Sequence, residues 1–257
     1  MIVCRSAAEL ERMRDAGRLV GEVLTDLASR IAPGVTTADL DAIAEERIAK
    51  SGATPAFKGY HGYPATICAS INEEVIHGIP SGRRVLNEGD ILSIDVGVSL
   101  NGYFGDSAIT VPVGKVSEPA AALLRATEES LYKAIERVRP GGRISDIGHA
   151  VQRHVESNGF SVVREFVGHG IGQRMHEEPQ VPNYGEPGRG PRLAEGMVLA
   201  IEPMVNAGKP AVKVLADGWT AVTKDGSLSA HFEHTVAVTA DGPWILTARD
   251  VPVPVHR

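Results

Sequence analysis

Two distant stretches of this chain can be laid over one another. They are Leu86-Asn87-Glu88-Gly89-Asp90-Ile91-Leu92-Ser93-Ile94-Asp95 and Leu193-Ala194-Glu195-Gly196-Met197-Val198-Leu199-Ala200-Ile201-Glu202. Leu, Glu, Gly, Leu and Ile coincide at five of the ten positions, and each stretch runs from a glycine turn through an apolar segment into a carboxylate. A glycine turn entering an apolar strand is common, so chance is a live alternative. Each half of the chain, however, also sets a pair of helical patterns beside its strand-like runs. The combination predicts two similar halves, each presenting an acid at the end of an equivalent strand.

The helical patterns are read from spacing. Ser6-Ala7-Ala8-Glu9 has the form of a capping box, and Leu10, Met13, Gly17, Val20, Leu24, Leu27 and Ile31 follow at three- and four-residue steps. Pro33-Gly34 stops this first helix, and a second starts at Thr37 and ends at Ser51-Gly52. Residues 53–63 read as a loop. Strand-like runs follow at Ala65 to Ala69, Ile91 to Val98 and Tyr103 to Val111, the last two joined by the hairpin signal Asn101-Gly102. A third helix begins after Ser117 and a fourth runs from about Ser145 to Asn158-Gly159. The remainder is again β-type: Val162-Val163, Val198 to Ile201, Val212 to Leu215, Ala221-Val222 and Phe232 to Val238. Helices and strands are segregated in runs, which predicts an α+β fold with antiparallel sheet flanked by helices. A chain of 257 residues lies near the upper limit of one core. The repeat favours a single domain over 1–257, with halves of about 1–115 and 116–250.

Composition removes several function classes. The formal charge is −6 and no dense Lys/Arg tract interrupts the chain, so no nucleic-acid partner is expected. No apolar run approaches the ~18 residues of a membrane span, so no membrane partner is expected either. Cys4 and Cys68 cannot make a disulfide framework, and Met1-Ile2-Val3-Cys4-Arg5 leads into charged residues instead of an apolar signal core, so a cytoplasmic location follows. No long apolar patch asks for a partner chain, and a monomer is expected.

The chemistry lies in four acids placed where acids are depleted. Asp95 and Asp106 sit on the two arms of the hairpin, Glu202 ends the second copy of the repeat, and Glu233 borders the apolar run Phe232 to Val238. Any one alone reads as a solvent-facing strand residue. Four anions facing one another in a region of low dielectric would have to protonate unless cations neutralise them. An oxygen-rich set with few nitrogens suits divalent Mn, Fe, Co or Zn, and carboxylates able to bridge suit a two-metal site. The nitrogen ligand is expected from Gly168-His169-Gly170-Ile171-Gly172, where three glycines let the backbone bend around a histidine. Phosphate cradling is the rival for such a loop, but neither a following Lys-Ser/Thr nor a strand-loop-helix context supports it. His176 and His77 read equally as surface or as site residues, and His61, His149, His154, His231, His234 and His256 carry no spacing argument. There is no Gly-x-Ser-x-Gly elbow, and Cys68 sits in an apolar strand, so covalent catalysis has little support. A dinuclear site points instead to hydrolysis by a metal-activated water.

These residues resemble the signature blocks of type I methionine aminopeptidases in their short bacterial form. The resemblance is carried by Ile94-Asp95-Val96-Gly97, Gly105-Asp106, Gly168-His169-Gly170-Ile171-Gly172, Met175-His176-Glu177, Ala200-Ile201-Glu202-Pro203 and Glu233-His234-Thr235, in matching order from about Ser6 to Val238. It implies the pita-bread fold with approximate internal two-fold symmetry. It implies Asp95, Asp106, His169, Glu202 and Glu233 as ligands of two divalent ions (Co, Mn, Fe or Zn), with Asp106 and Glu233 bridging. The implied reaction removes the initiator methionine from nascent chains with a small second residue, near the ribosome. A metal-bridging water or hydroxide would attack the Met carbonyl while Glu202 relays its proton, and His77 and His176 would hydrogen-bond the substrate or the tetrahedral intermediate. A methionine pocket of Phe57, Tyr60, Tyr63, Cys68 and Trp219 is implied. That is a concentration of aromatics in a chain with only two Trp, five Tyr and five Phe. Asn72 and Ser229 match positions that hold a sodium or potassium ion in some relatives. Met175 stands where an aromatic is common and His231 where Gln is frequent. Rival readings are an X-Pro peptidase of the same fold, which usually carries an extra N-terminal domain, and a binding protein that has lost the ligands. The bulky Ile2 after Met1 predicts, by the same substrate rule, a chain that keeps its own Met1.

Overall fold

A computed structural model describes residues 1–249; residues 250–257, which include His256, lie outside the described residues. The spaced apolar positions near the start form α1 (Ala7–Arg30), which buries Leu10, Met13, Val20, Leu24 and Leu27. Its first turn is closed by Glu9, whose Oε2 accepts from the Ser6 N–H at 2.8 Å. Thr36 and Asp39 cap α2 (Thr37–Lys50) in the same reciprocal way. In the second half α3 (Glu118–Ile135) and α4 (Ile144–Ser157) pack on one another. Each half thus backs its strands with a helix pair.

Every strand pairing among the described residues is antiparallel. In the first half the long strand Ile91–Leu100 pairs along its whole length with Tyr103–Pro112 and, on its other edge, with Ile67–Ile71 and the short Thr54–Pro55. Residues 53–63 are therefore less irregular than a loop, since they also hold a 3₁₀ turn at Tyr60–Gly62. In the second half five strands run side by side in the order Gly242–Ile245, His234–Thr239, Val198–Ile201, Gly168–Gly170, Glu177–Val181. Two three-stranded sheets complete the fold. One joins Ser161–Val162, Met204–Asn206 and Ser229–His231, and the other joins Glu74–Ile76, Val212–Val214 and Ala221–Thr223.

Two expectations are corrected. Asp95 does not end its strand: the hairpin carries the strand on to Leu100 and leaves the acid in the middle. The glycines around His169 do not bend a loop. Gly168 and Gly170 lie in a strand, and a Cβ on either would strike the carbonyl of a flanking chain, Ala200 O for Gly168 and Glu178 O for Gly170. Close approach of the neighbouring strands, not curvature, is what demands glycine here.

The halves meet along the hairpin. Glu233 N–H donates to Ala108 O at 2.9 Å, and Ser107 Oγ donates to Glu233 O at 2.5 Å. Thr235 Oγ1 donates to Asp106 O at 2.8 Å and accepts from Asp106 N–H at 3.1 Å. These bonds set Asp106 and Glu233 beside each other although they stand far apart in the chain.

Candidate metal centre

Register brings the acids together. Asp95 faces Ala108 and Gly97 faces Asp106, so Asp95 and Asp106 are diagonal neighbours on one face of the hairpin. Ile201 faces His234, so Glu202 and Glu233 leave the same end of that strand pair. His169 lies opposite Ala200 on the next strand. One ligand atom from each of Asp106, His169 and Glu233 falls within 4.8 Å of the others. Asp95 and Glu202 lie outside this tightest trio, yet both line the same cavity of about 240 Å³. His169 Nε2 is 3.9 Å from Asp106 Oδ2 and 3.7 Å from Glu202 Oε1.

Burial dominates the electrostatics. It pushes the Asp95 carboxyl up to about 7, and it pushes Asp106, Glu202 and Glu233 well above the usual carboxylate range, with repulsion among the acids adding to the effect. The His169 imidazole goes the other way, to about 4, so it is neutral at pH 7. Its Nδ1 lies 2.8 Å from Gly170 O, which can only accept, so the proton sits on Nδ1 and the Nε2 lone pair faces the acids.

The donor set fits a divalent cation. Asp95 Oδ1, Asp106 Oδ1 and Glu233 Oε1 are buried without a hydrogen-bond partner among the described residues. Unpaired buried carboxylate oxygens are costly, and a cation held among them removes that cost. Carboxylates with one neutral imidazole suit the divalent metals of intermediate hardness.

The rest of the cavity wall is apolar. Phe57, Tyr60, Tyr63, Cys68, Met175 and Trp219 line it beside the acids, together with His77 and His176. Every residue expected for the ligands, the two histidines and the pocket therefore reaches this one cavity. Burial lowers both of these histidines, His77 to about 4. His77 holds a left-handed backbone at φ 60° and sets its ring edge-on to Phe166 and Trp219. His176 stands 4.2 Å from His169, ring centre to ring centre, with its Nδ1 2.9 Å from the Tyr60 hydroxyl. Asn72 and Ser229 are joined by the Ser229 N–H donating to Asn72 O at 2.8 Å.

Sequence reasoning missed several supports. His61 also lines the cavity. Asn183 Nδ2 donates to Glu202 O at 3.0 Å. Arg5 makes a buried pair with Glu177, 2.5 Å at its shortest, and this ties the chain start to the turn that carries Met175 and His176. Spacing gives no sign of contacts made across so much chain. For His61 a signal existed, its place beside Tyr60 in the aromatic segment.

An antiparallel α+β frame that converges four acids, Asp106 and Glu233 buried among them, and a neutral imidazole on one cleft defines a metalloenzyme scaffold. Residues 11–240 match metallopeptidase family M24, and the chain belongs to that family. Within it the chain is 58% identical to a methionine aminopeptidase of Clostridium acetobutylicum over 247 residues, 96% of this chain and 99% of that relative. The crystal structure of a Thermotoga maritima methionine aminopeptidase superposes with a TM-score of 0.95 at 48% identity, covering 97% of this chain and all of that one. A prolidase from Pyrococcus horikoshii also shares the fold, with a TM-score of 0.78 at 23% identity, but this chain covers only 65% of it. The fold is the pita-bread α+β fold of that family.

Proposed function

We propose that this chain is a metal-dependent aminopeptidase that removes the initiator methionine from nascent proteins with a small second residue. One observation supports the reading: the acids share a cavity of about 240 Å³ with the apolar side chains of Phe57, Tyr60, Tyr63, Cys68, Met175 and Trp219, so a metal-binding set and an apolar side-chain pocket lie side by side. Asp95, Asp106, His169, Glu202 and Glu233 would hold two divalent ions, Co, Mn, Fe or Zn. Ions bound there supply Lewis acidity and an activated water.

The chain's own residues do the remaining work. The pocket takes the methionine side chain and excludes water from it. Glu202, raised well above the usual carboxylate range by burial and by the charges of Asp106 and Asp95, is the group that would accept a proton and pass it to the leaving amine. His77 and His176 are neutral at pH 7, so each offers an N–H to an oxygen that gains negative charge. By holding a metal ion these residues would also offer a site for a free α-amino group, which would select chain ends over internal peptide bonds. A sodium or potassium ion beside Asn72 and Ser229, monomeric action in the cytoplasm and work near the ribosome belong to the same proposal. Among the described residues no helix is long and apolar enough to cross a membrane.

The test is hydrolysis of Met-Ala, Met-Leu, Leu-Ala and Ala-Pro peptides by metal-free protein with Mn, Fe, Co or Zn added back. Metal-dependent cleavage of Met-Ala above the others is expected. Cleavage without metal, or a preference for Ala-Pro, overturns the reading.

A further inference from the structure

Behind the cavity wall stands a histidine that the mechanism above does not use. His231 is 2% exposed and is not among the cavity-lining residues. Its backbone is fixed from the opposite half of the molecule. Its N–H donates to Thr110 Oγ1 at 2.8 Å, and that hydroxyl donates to its carbonyl at 2.8 Å. Met204 pairs with it across the strand ladder. The side chain is thus anchored at its root, yet its Nε2 is buried without a hydrogen-bond partner among the described residues. A buried polar atom left alone in this way calls for a physical reason.

Glu202 supplies one. Its Oε2 lies 3.8 Å from His231 Nε2, while its Oε1 lies 3.7 Å from His169 Nε2. The two oxygens of one carboxylate therefore face different imidazoles, one behind the wall and one within the metal-binding set. The backbone of Glu202 is held as well, by Asn183. What remains free is the terminal torsion of the Glu202 side chain, which is soft. The 3.8 Å gap between Oε2 and His231 Nε2 is only slightly longer than a hydrogen bond, and adjustment of a soft torsion can close a gap of that size.

We propose that His231 is a positioning residue for Glu202: its Nε2–H donates to Oε2 and leaves Oε1 directed into the cavity. This rests on the placement of Glu202 in the metal-binding set. With one oxygen pinned, the carboxylate cannot swing to present both oxygens to the cavity, so its ligand geometry and its reach as a proton acceptor are fixed together. Gln, with an amide N–H, can do the same, whereas an apolar side chain of similar size cannot.

The experiment compares His231→Leu and His231→Gln with the wild type in three readouts. These are kcat and KM on a Met-Ala peptide, Mn affinity of the metal-free protein by calorimetry, and thermal midpoint. His231→Leu is expected to lower kcat and Mn affinity by about 10- to 100-fold each, with KM within about twofold, and His231→Gln to recover both. Wild-type kcat and Mn affinity in His231→Leu overturn the proposal, as does a His231→Gln as impaired as the leucine variant. If the leucine variant fails to fold, nitrogen-15 spectra of the wild-type imidazole decide. A proton on Nε2 in both metal-free and zinc-loaded protein supports the contact, and a proton on Nδ1 overturns it. A wild-type protein that binds no metal would overturn the metal reading instead, and the metal-free tautomer would still decide for or against the Nε2–H contact.

Discussion

At the scale of single residues, the buried acids set function against stability. Asp106 stands in the tightest ligand trio and is crowded by burial, by Glu233 and by Asp95. Asp106→Asn removes an anionic donor, and turnover on Met-Ala should fall by more than about 100-fold, beyond the usual effect of losing a ligand's outer partner. The same change takes a charge out of the cavity, so the metal-free variant should unfold at a higher temperature than metal-free wild type at pH 8. His169→Ala should abolish turnover and metal uptake alike. The pH response has a definite sign. Asp95 rises to about 7 in the fold from 3.8, so the native metal-free protein keeps a proton that the unfolded chain has released, and the stability this confers is lost as pH rises through 7. His77 and His169, lowered from 6.5 to about 4, act in the opposite sense and only between those values. Between pH 6.5 and 8.5 the thermal midpoint of metal-free protein should therefore fall, by about 2–4 °C for each kcal/mol lost, and added Mn should flatten the slope. A midpoint that rises with pH would contradict the buried-acid account. At this scale much was legible in the sequence. Four acids in apolar strands imply a cation once those strands converge, and Asp95, Asp106, Glu202 and Glu233 do share one cavity. His231 was not legible, because its meaning lies in a distance to Glu202 that no spacing encodes.

At the scale of elements, helices and the hairpin were readable because their signals are local. The steps of Leu10, Met13, Val20, Leu24 and Leu27, the helix starts at Thr37 and Ser117 and the turn at Asn101-Gly102 place α1, α2, α3 and the long hairpin within a few residues of their bounds. Short strands such as Gly168–Gly170, Met204–Asn206 and Ser229–His231 were not readable, since three residues carry too little alternation and are fixed by their neighbours. Glycine proved ambiguous for a related reason: it permits a bend and it permits contact, and only packing tells which. Gly105 shows the second use. A Cβ there would lie 2.9 Å from Gly17 N, where α1 crosses the hairpin next to Asp106. Gly105→Ala should destabilise the protein by about 1–3 kcal/mol through overpacking and weaken Mn binding by shifting Asp106. Urea unfolding and calorimetry would measure both, and unchanged Mn affinity would show that the crossing does not set the position of the ligand.

At the scale of the whole molecule, the repeat in the sequence becomes two helix-backed halves joined through the hairpin. The proposed ligands are divided between them, with Asp95 and Asp106 from one and His169, Glu202 and Glu233 from the other. We expect the halves to behave as one unit. Calorimetry should give one unfolding transition, raised by metal, and separate chains of 1–115 and 116–257 should each fail to bind Mn with native affinity. Two transitions of metal-loaded protein would contradict this. The bonds that place the acids have a consequence in time as well. The Thr235–Asp106 and Ser107–Glu233 contacts close spans of 129 and 126 residues, and such spans close late because chain entropy opposes them. Local helices and the hairpin can form while the chain is still growing, but the cleft cannot assemble until the His234–Thr239 strand has emerged. Synthesis therefore withholds peptidase activity until the His234–Thr239 strand has been made, and no product that ends before that strand is expected to carry it.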